Sequence, residues 1–359
     1  MLVTALVVVG LTMSFSASFV DGAEGGDPFG TFRRQLLWTV VGVPTFLVVA
    51  GTDHRVWRPL AWLMVVASTL GLAAVLIPGV GLSEAGSTRW LALGPVVVQP
   101  SELAKLATVL WLADVHTRKR ERGISTDRLS HMLVPALPLL AIEAILILAQ
   151  PDLGTTVLIG MIVVLVLWAD GVPARVLAAI GAAGATLAAA AAVVEPYRFA
   201  RLVGWWDPTA DPLGSGYQLL QSLYALGSGG WLGVGLGSSR GKWNFIPNPE
   251  TDFIFAIIGE ELGVVGAATV LALFAGLVVV GLRVARRTSD RFGRLVAFAI
   301  SGWIVGQALL NVGAVTGLLP ITGVTLPLVS VGGSSLLSTL LGLGILVAVA
   351  RATGEEDRR

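Results

Sequence analysis

The residues best suited to chemistry are carboxylates beside prolines and glycines at the ends of apolar runs. The sharpest set is IPNPETDFIFAIIGEELG, Ile246–Gly263. Pro247 and Pro249 prevent an earlier helix start, and Thr251 or Asp252 can cap the helix that follows. Asp252 then stands at the positive end of a helix dipole, which favours its ionised form. It is a candidate general base, or only an N-cap. Glu260 and Glu261 fall deeper in the same apolar run, where charge needs a partner or a function. In QPSELAK, residues 99–105, Pro100 and Ser101 set a helix start and put Glu102 and Lys105 at i, i+3. They read as a neutralised ion pair, or as a pair whose Lys105 touches a phosphate at the mouth of a cavity.

QPDLGT, residues 150–155, joins two apolar runs through Pro151, Asp152 and Gly154, all turn residues. In LPLVSVGGSS, residues 326–335, Gly332 and Gly333 allow close backbone approach and Ser330, Ser334 and Ser335 offer hydroxyls. The same small residues also suit a helix-packing face. Glu143 lies inside an apolar run with no role evident. The chain has no cysteine, which excludes disulfides, thiolate catalysis and Cys-zinc sites. His54, His116 and His131 sit in or beside polar breaks, form no HExxH pair, and read as solvated loop residues. GVGLG at 233–237 follows no strand, and GxxxxGK[ST] is absent, so no nucleotide site is expected.

The elements that must position these groups follow from composition. Of 359 residues, 55% are apolar and 13% charged, and mean hydropathy is +0.81. Soluble domains carry about 25% charged residues. The net charge of +1 offers no field for nucleic acid. The expected fold is all-α, a polytopic membrane protein. Runs near the ~20 residues needed to cross a bilayer give ten candidate spans. They are Met1–Val20, Gln35–Ala50, Leu60–Ile77, Ser101–Val115, His131–Ala149, Thr155–Ala169, Ala174–Val194, Phe253–Leu282, Leu295–Val315 and Val331–Ala350. The first is read as a retained helix, because no basic residue precedes Arg33 to make a signal peptide's n-region.

Most of the 24 lysines and arginines fall in alternate breaks, among them Arg118–Arg122 with Arg128, Arg283–Arg294, and Arg351 with Arg358 and Arg359. The positive-inside rule then puts both termini in the cytoplasm and 195–252 outside. That long segment holds four tryptophans suited to a membrane interface, and GYQLLQSLYALGSGG at 216–230 reads as an amphipathic helix. Gly79–Pro100 mixes Trp90 with turn formers and is expected to dip into the membrane. No internal repeat is visible, so 1–359 reads as a single transmembrane domain.

Together, QPSELAK, QPDLGT, GYQLLQSLYALGSGG, TDFIFAIIGEELG (251–263) and TLPLVSVGGSSL (325–336) resemble the SEDS family of shape, elongation, division and sporulation proteins. That family includes FtsW, RodA and SpoVE, and the likeness covers essentially the whole chain. The run Asp207–Trp243 is more similar to FtsW than to RodA. Two departures stand out. The family often has Glu-Ala-His-Thr where this chain has Asn248–Thr251, and Ser-Tyr-Gly-Gly where it has Ser330–Gly333. The first removes an outer histidine and leaves Glu250 as the candidate compensating carboxylate.

The resemblance implies a peptidoglycan glycosyltransferase that polymerises lipid II on the outer face of the cytoplasmic membrane. Asp252 matches the family's essential aspartate, and Glu102 and Lys105 its charged pair. Substrate contacts are expected from these two and from Asp152, Arg198, Arg201, Gln218, Lys242, Glu250, Thr251, Ser330, Gly332 and Gly333. Implied partners are lipid II, a class B penicillin-binding protein and other divisome or elongasome membrane proteins. One base suffices because pyrophosphate leaves as an anion, so its charge must be held rather than protonated. Arg198, Arg201, Arg240, Lys242 and Lys105 are candidates for that task, with a magnesium or manganese ion bridging the pyrophosphate. A lipid II transporter and a non-catalytic scaffold for the transpeptidase are the alternatives.

Overall fold

The computed structural model describes residues 1–84, 87–94, 96–124 and 129–356. Its helices are α1 (Leu2–Glu24), α2 (Gly30–Gly51), α3 (Trp57–Val75), α4 (Pro100–Glu121), α5 (Leu129–Leu133), α6 (Ala136–Leu148) and α7 (Leu153–Ala169). They continue with α8 (Ala174–Val194), α9 (Pro196–Trp206), α10 (Tyr217–Ser228), α11 (Ile254–Arg287), α12 (Arg291–Val315) and α13 (Gly333–Glu356). Every expected span falls on helix, the fifth being divided between α5 and α6. Among the described residues seven helices are long and apolar enough to cross a membrane: α1, α2, α3, α8, α11, α12 and α13. α6 and α7 are shorter, and α4 is long but charged. Arg128, Arg358 and Arg359 lie outside the described residues.

The chain groups into two compact units, each discontinuous in sequence, where the sequence reads as one domain. One contains Met1–Val41, Ala189–Leu277 and Val305–Leu336; the other contains Gly42–Ala188, Val278–Ile304 and Leu337–Arg359.

In the second unit α4 is the central helix. Leu72, Ala104, Ile147 and Ile159 form one buried cluster from α3, α4, α6 and α7, and Val65, Ala107 and Leu139 form another. Its charges are kept inside by pairing. Thr108 donates to both Glu143 oxygens at 3.1 and 2.8 Å, and Arg58 donates to Asp114 at 2.9 Å. A buried charge or carboxyl is tolerated only with such partners. Two of the three histidines, His54 and His116, are not solvated loop residues. His54 and His116 are 1% and 2% exposed, and each has a ring nitrogen 2.9 Å from a carboxylate oxygen, of Asp290 and Asp170 respectively. Arg291 also donates to Asp170. Single-residue polarity suggests solvent for a histidine, whereas the partners come from distant helix ends.

Gly79–Pro100 does not simply dip and turn. It contains a three-stranded antiparallel sheet of β1 (Gly81–Glu84), β2 (Ser87–Leu93) and β3 (Val96–Val98), with Leu82 opposite Trp90 and Leu91 opposite Val98. Ala85, Gly86 and Pro95 lie outside the described residues. Arg89 of β2 donates to the carbonyls of Gln150 and Pro151, which ties the sheet to the α6–α7 turn. Short strands escape an apolar-run reading because their alternation extends over only a few residues.

In the first unit, 195–252 holds the expected amphipathic helix as α10 and a second one, α9, that sequence reasoning left in the loop. Pro196 opens α9 at its first turn, where its missing N–H is harmless. α11 is broken at Gly263, whose φ of 67° and ψ of −167° belong to a region only glycine enters readily. The 230–235 segment supplies the hydrogen bonds around the break. Val234 and Gly235 donate to the carbonyls of Glu260 and Glu261 at 2.9 and 3.1 Å, and Val264 and Val265 donate to those of Gly230 and Trp231 at 2.9 and 3.2 Å. Irregular backbone is tolerated at membrane depth only when satisfied by protein in this way.

Candidate active site

The half-helix of α11 before Gly263 presents Asp252 two residues ahead of its first turn, half-buried, with Phe253–Ile258 packed inside. The first helical amides, of Ala256 and Ile257, donate to the Phe253 carbonyl at 2.9 and 3.3 Å. Thr251, expected as a possible cap, instead donates its hydroxyl to the Asn248 carbonyl at 3.3 Å. The carboxylate of Asp252 faces Gly323, where a Cβ would stand 3.5 Å from Oδ2. Gly323 has φ 71°, so a bulkier residue there is strained as well as close.

Backbone bonds hold Asp252 from two sides. Asn311 of α12, 1% exposed, donates Nδ2 to the carbonyls of Asp252 and Val324, each at 2.8 Å. On the other side, Ser330 Oγ donates to the Thr251 carbonyl at 2.6 Å and accepts from the Leu326 amide at 2.8 Å. The Val331 amide donates to the Glu250 carbonyl at 2.9 Å. Gln35 of α2 secures this strap, donating to the Ser330 carbonyl at 3.4 Å and accepting from the Gly332 amide at 3.2 Å. Ser330 and Gly332 therefore position Asp252's neighbours through these bonds. Gly333 packs its backbone against the Trp38 ring. Asn311 and Gln35 were missed by sequence reasoning, since one amide in an apolar run is a faint signal.

Glu260 and Glu261 find their partners in the same unit. Glu260 accepts from Ser239 Oγ at 2.5 Å and from the amides of Arg240 and Gly241 at 2.9 and 3.2 Å. Glu261 accepts from Ser16 Oγ at 2.7 and 2.8 Å and from Lys242 Nζ at 3.2 Å. Lys242 is 4% exposed and donates also to the Gly237 carbonyl at 2.6 Å. Lys242, expected to meet substrate, has its ammonium on a buried carboxylate, which ties the 237–242 segment to the helix break.

Arg198 and Arg201 of α9 are half-buried. Arg198 donates to the Ala191 carbonyl at 3.2 Å, and Arg201 to that of Ile321 at 3.4 Å. Trp205 Nε1 donates to the Gly317 carbonyl at 2.9 Å, so α9 grips the segment leading to Gly323. Gln218, on α10, lines a cavity with Arg201.

Two other expected contacts belong to the second unit. Lys105 is fully buried, with Nζ 2.9 Å from Glu102 and 5.4 Å from the centroid of the Trp303 ring, and Ser338 Oγ donates to Glu102 at 3.4 Å. Lys105 and Glu102 form an internal ion pair, and burying either charge alone would be costly. Asp152 caps α7 by accepting from Thr155 N and Oγ1 at 3.0 and 2.9 Å, and Gln150 donates to the Leu72 carbonyl at 3.0 Å. QPDLGT is thus a structural turn with its polar groups turned inward.

Among the described residues no group of three or more histidine or carboxylate side chains gathers to hold a metal ion. Comparison with known proteins places this arrangement. A family model described as "Cell cycle protein", covering FtsW, RodA and SpoVE, matches residues 1–355. Stage V sporulation protein E of Bacillus subtilis is 41% identical over 348 residues, 96% of this chain and 94% of that one. A probable peptidoglycan glycosyltransferase FtsW of Legionella pneumophila is 39% identical over 351 residues, 97% and 88% of the two chains. A solved structure described by the words "Structural coordination of polymerization and crosslinking by a peptidoglycan synthase complex" superposes with a TM-score of 0.79 at 33% identity. It covers 98% of this chain and 96% of that one. With its motifs, its broken helix and the whole-length match, this chain belongs to the FtsW/RodA/SpoVE family of cell cycle proteins.

Proposed function

We propose that this multi-pass membrane protein is a peptidoglycan glycosyltransferase that polymerises lipid II, with Asp252 as general base. The observation that carries the reading is the half-buried Asp252 carboxylate at the start of the α11 half-helix, its backbone held by Asn311 and by the Ser330 strap. Asp252 takes the proton from the 4-hydroxyl of one disaccharide as that oxygen bonds the anomeric carbon of another, with inversion, and undecaprenyl pyrophosphate departs. Asp252 stands just ahead of the first turn of α11, at the positive end of its helix dipole. Arg198 and Arg240, the latter exposed at the surface of the same unit, supply positive charge for the leaving group. A magnesium or manganese ion carried by the substrate's pyrophosphate would supply further positive charge for the leaving group.

The charge distribution of the loops supports cytoplasmic termini in the bacterial inner membrane, with Asp252 outside. A class B penicillin-binding protein is the proposed partner, because the solved relative is described as a peptidoglycan synthase complex that coordinates polymerization with crosslinking.

The test is lipid II polymerisation by Asp252→Asn protein with and without a candidate transpeptidase. General base catalysis is worth about 100- to 10,000-fold, so the rate falls by at least about 100-fold while the unfolding temperature holds. Full activity in folded Asp252→Asn protein removes Asp252 from the mechanism. Lipid II movement across liposomes without glycan formation by the native chain favours the transporter.

A further inference from the structure

Between α9 and α10 lies a cavity of about 310 Å³ that the mechanism above does not use. Tyr197 and Arg201 of α9, Tyr217 and Gln218 of α10, Leu213 between them and Pro247 form its walls. Its volume is at the small end of the ~300–1,000 Å³ of ligand sites. The lining includes two phenol rings, one carboxamide, the Ser215 hydroxyl and a single guanidinium. The guanidinium already lies 4.6 Å from the centroid of the Tyr197 ring and donates to the Ile321 carbonyl. A phosphate site gathers several cations or amides on one point, whereas here a single partly engaged cation stands among aromatic rings. A sugar ring offers what such walls recognise: an apolar C–H face to stack on a ring, and hydroxyl and acetamido groups to bond Gln218 and the remaining N–H donors of Arg201.

The cavity is coupled to the candidate base through the backbone. Ile321, held by Arg201, precedes by two residues the Gly323 that faces Asp252 Oδ2. Pro247, on the opposite wall, precedes Asp252 by five residues. A ligand that draws Arg201 or Pro247 inward therefore acts on both approaches to Asp252.

We propose that this cavity is a saccharide subsite that takes one N-acetylated pyranose ring of the glycan, with Tyr197 and Tyr217 as stacking surfaces and Gln218 and Arg201 as its polar contacts. The assignment reassigns Arg201 from leaving-group charge to sugar binding, and it rests on the glycosyltransferase reading.

The chain has no native cysteine, so Leu213→Cys, on the exposed rim, is a unique handle. Its alkylation rate by a maleimide is measured on the full chain in nanodiscs, with N,N′-diacetylchitobiose or inorganic pyrophosphate as probe. The disaccharide slows labelling at least threefold, pyrophosphate does not, and adding Gln218→Leu abolishes the protection. Labelling unaffected by the disaccharide, or slowed by pyrophosphate alone, overturns the assignment. In parallel, Gln218→Leu with native cavity rim raises the KM for lipid II at least tenfold and leaves kcat within threefold. An unchanged KM in folded protein overturns the subsite while the polymerase reading stands. Sugar protection in a native chain that forms no glycan overturns the polymerase reading and keeps the subsite.

Discussion

Replacing Asn311 with leucine tests how Asp252 is held. Leucine keeps the branched four-heavy-atom outline of asparagine, though its methyl groups are bulkier, and it removes two hydrogen bonds, to the Asp252 and Val324 carbonyls at 2.8 Å each. Removing the donor from a buried acceptor costs about 1–3 kcal/mol. The Val324 bond is buried and the Asp252 bond only partly so, which puts Asp252 near the ~1 kcal/mol end of that range. The sum is about 2–4 kcal/mol, applied where the α11 half-helix begins. A misplacement of about 1 Å can cost about 100-fold in rate. The expected outcome is a lower unfolding midpoint in detergent together with an about 10- to 100-fold loss in polymerisation kcat, and little change in KM. Asn311→Asp keeps the shape but turns an oxygen toward both carbonyls, so it falls at least as far. Asn311→Leu protein that loses less than about 0.5 kcal/mol, well below one such bond, and polymerises at the native rate refutes the clasp.

Other outcomes follow from the same geometry. Lys242→Met strands Glu261 without its cation and lowers stability by about 3–5 kcal/mol, with faster hydrogen exchange at 237–242. Lys242→Met with Glu261→Gln recovers most of that loss, and equal loss in single and double variants counts against the pairing. Gly263→Ala forces a Cβ against the Trp231 carbonyl and the Gly233 amide in a glycine-only conformation, costing at least about 1–3 kcal/mol; a native unfolding temperature shows the break to be dispensable. The hydrogen bond from His54 holds the Asp290 carboxyl below the usual carboxylate range, burial opposing it and the Gly293 amide at 2.8 Å assisting. A depressed carboxyl stabilises the fold above its unfolded pKa of about 3.9 and loses that contribution as pH falls through the folded value. Asp290→Asn therefore flattens the acid limb of a stability–pH curve below about pH 4, and an unchanged slope refutes the link.

Apolar run length located the ten helical segments, because a bilayer sets that length whatever the neighbours are. Proline and glycine placement fixed the start of α11, and a polar–apolar period marked α10. Charge in an apolar run announced that Glu102, Lys105, Glu143, Glu260 and Glu261 needed partners, but not which ones. Lys105 answers to a residue three positions away, whereas Glu261 answers to Ser16 and Lys242, distant in the chain. The strands of 81–98, the inward histidines and the Asn311 clasp were equally hidden. A side chain's type and spacing state what it can bond. Which donor lies within 3 Å of which acceptor is decided only when remote segments pack, since one chain reading carries no through-space distance.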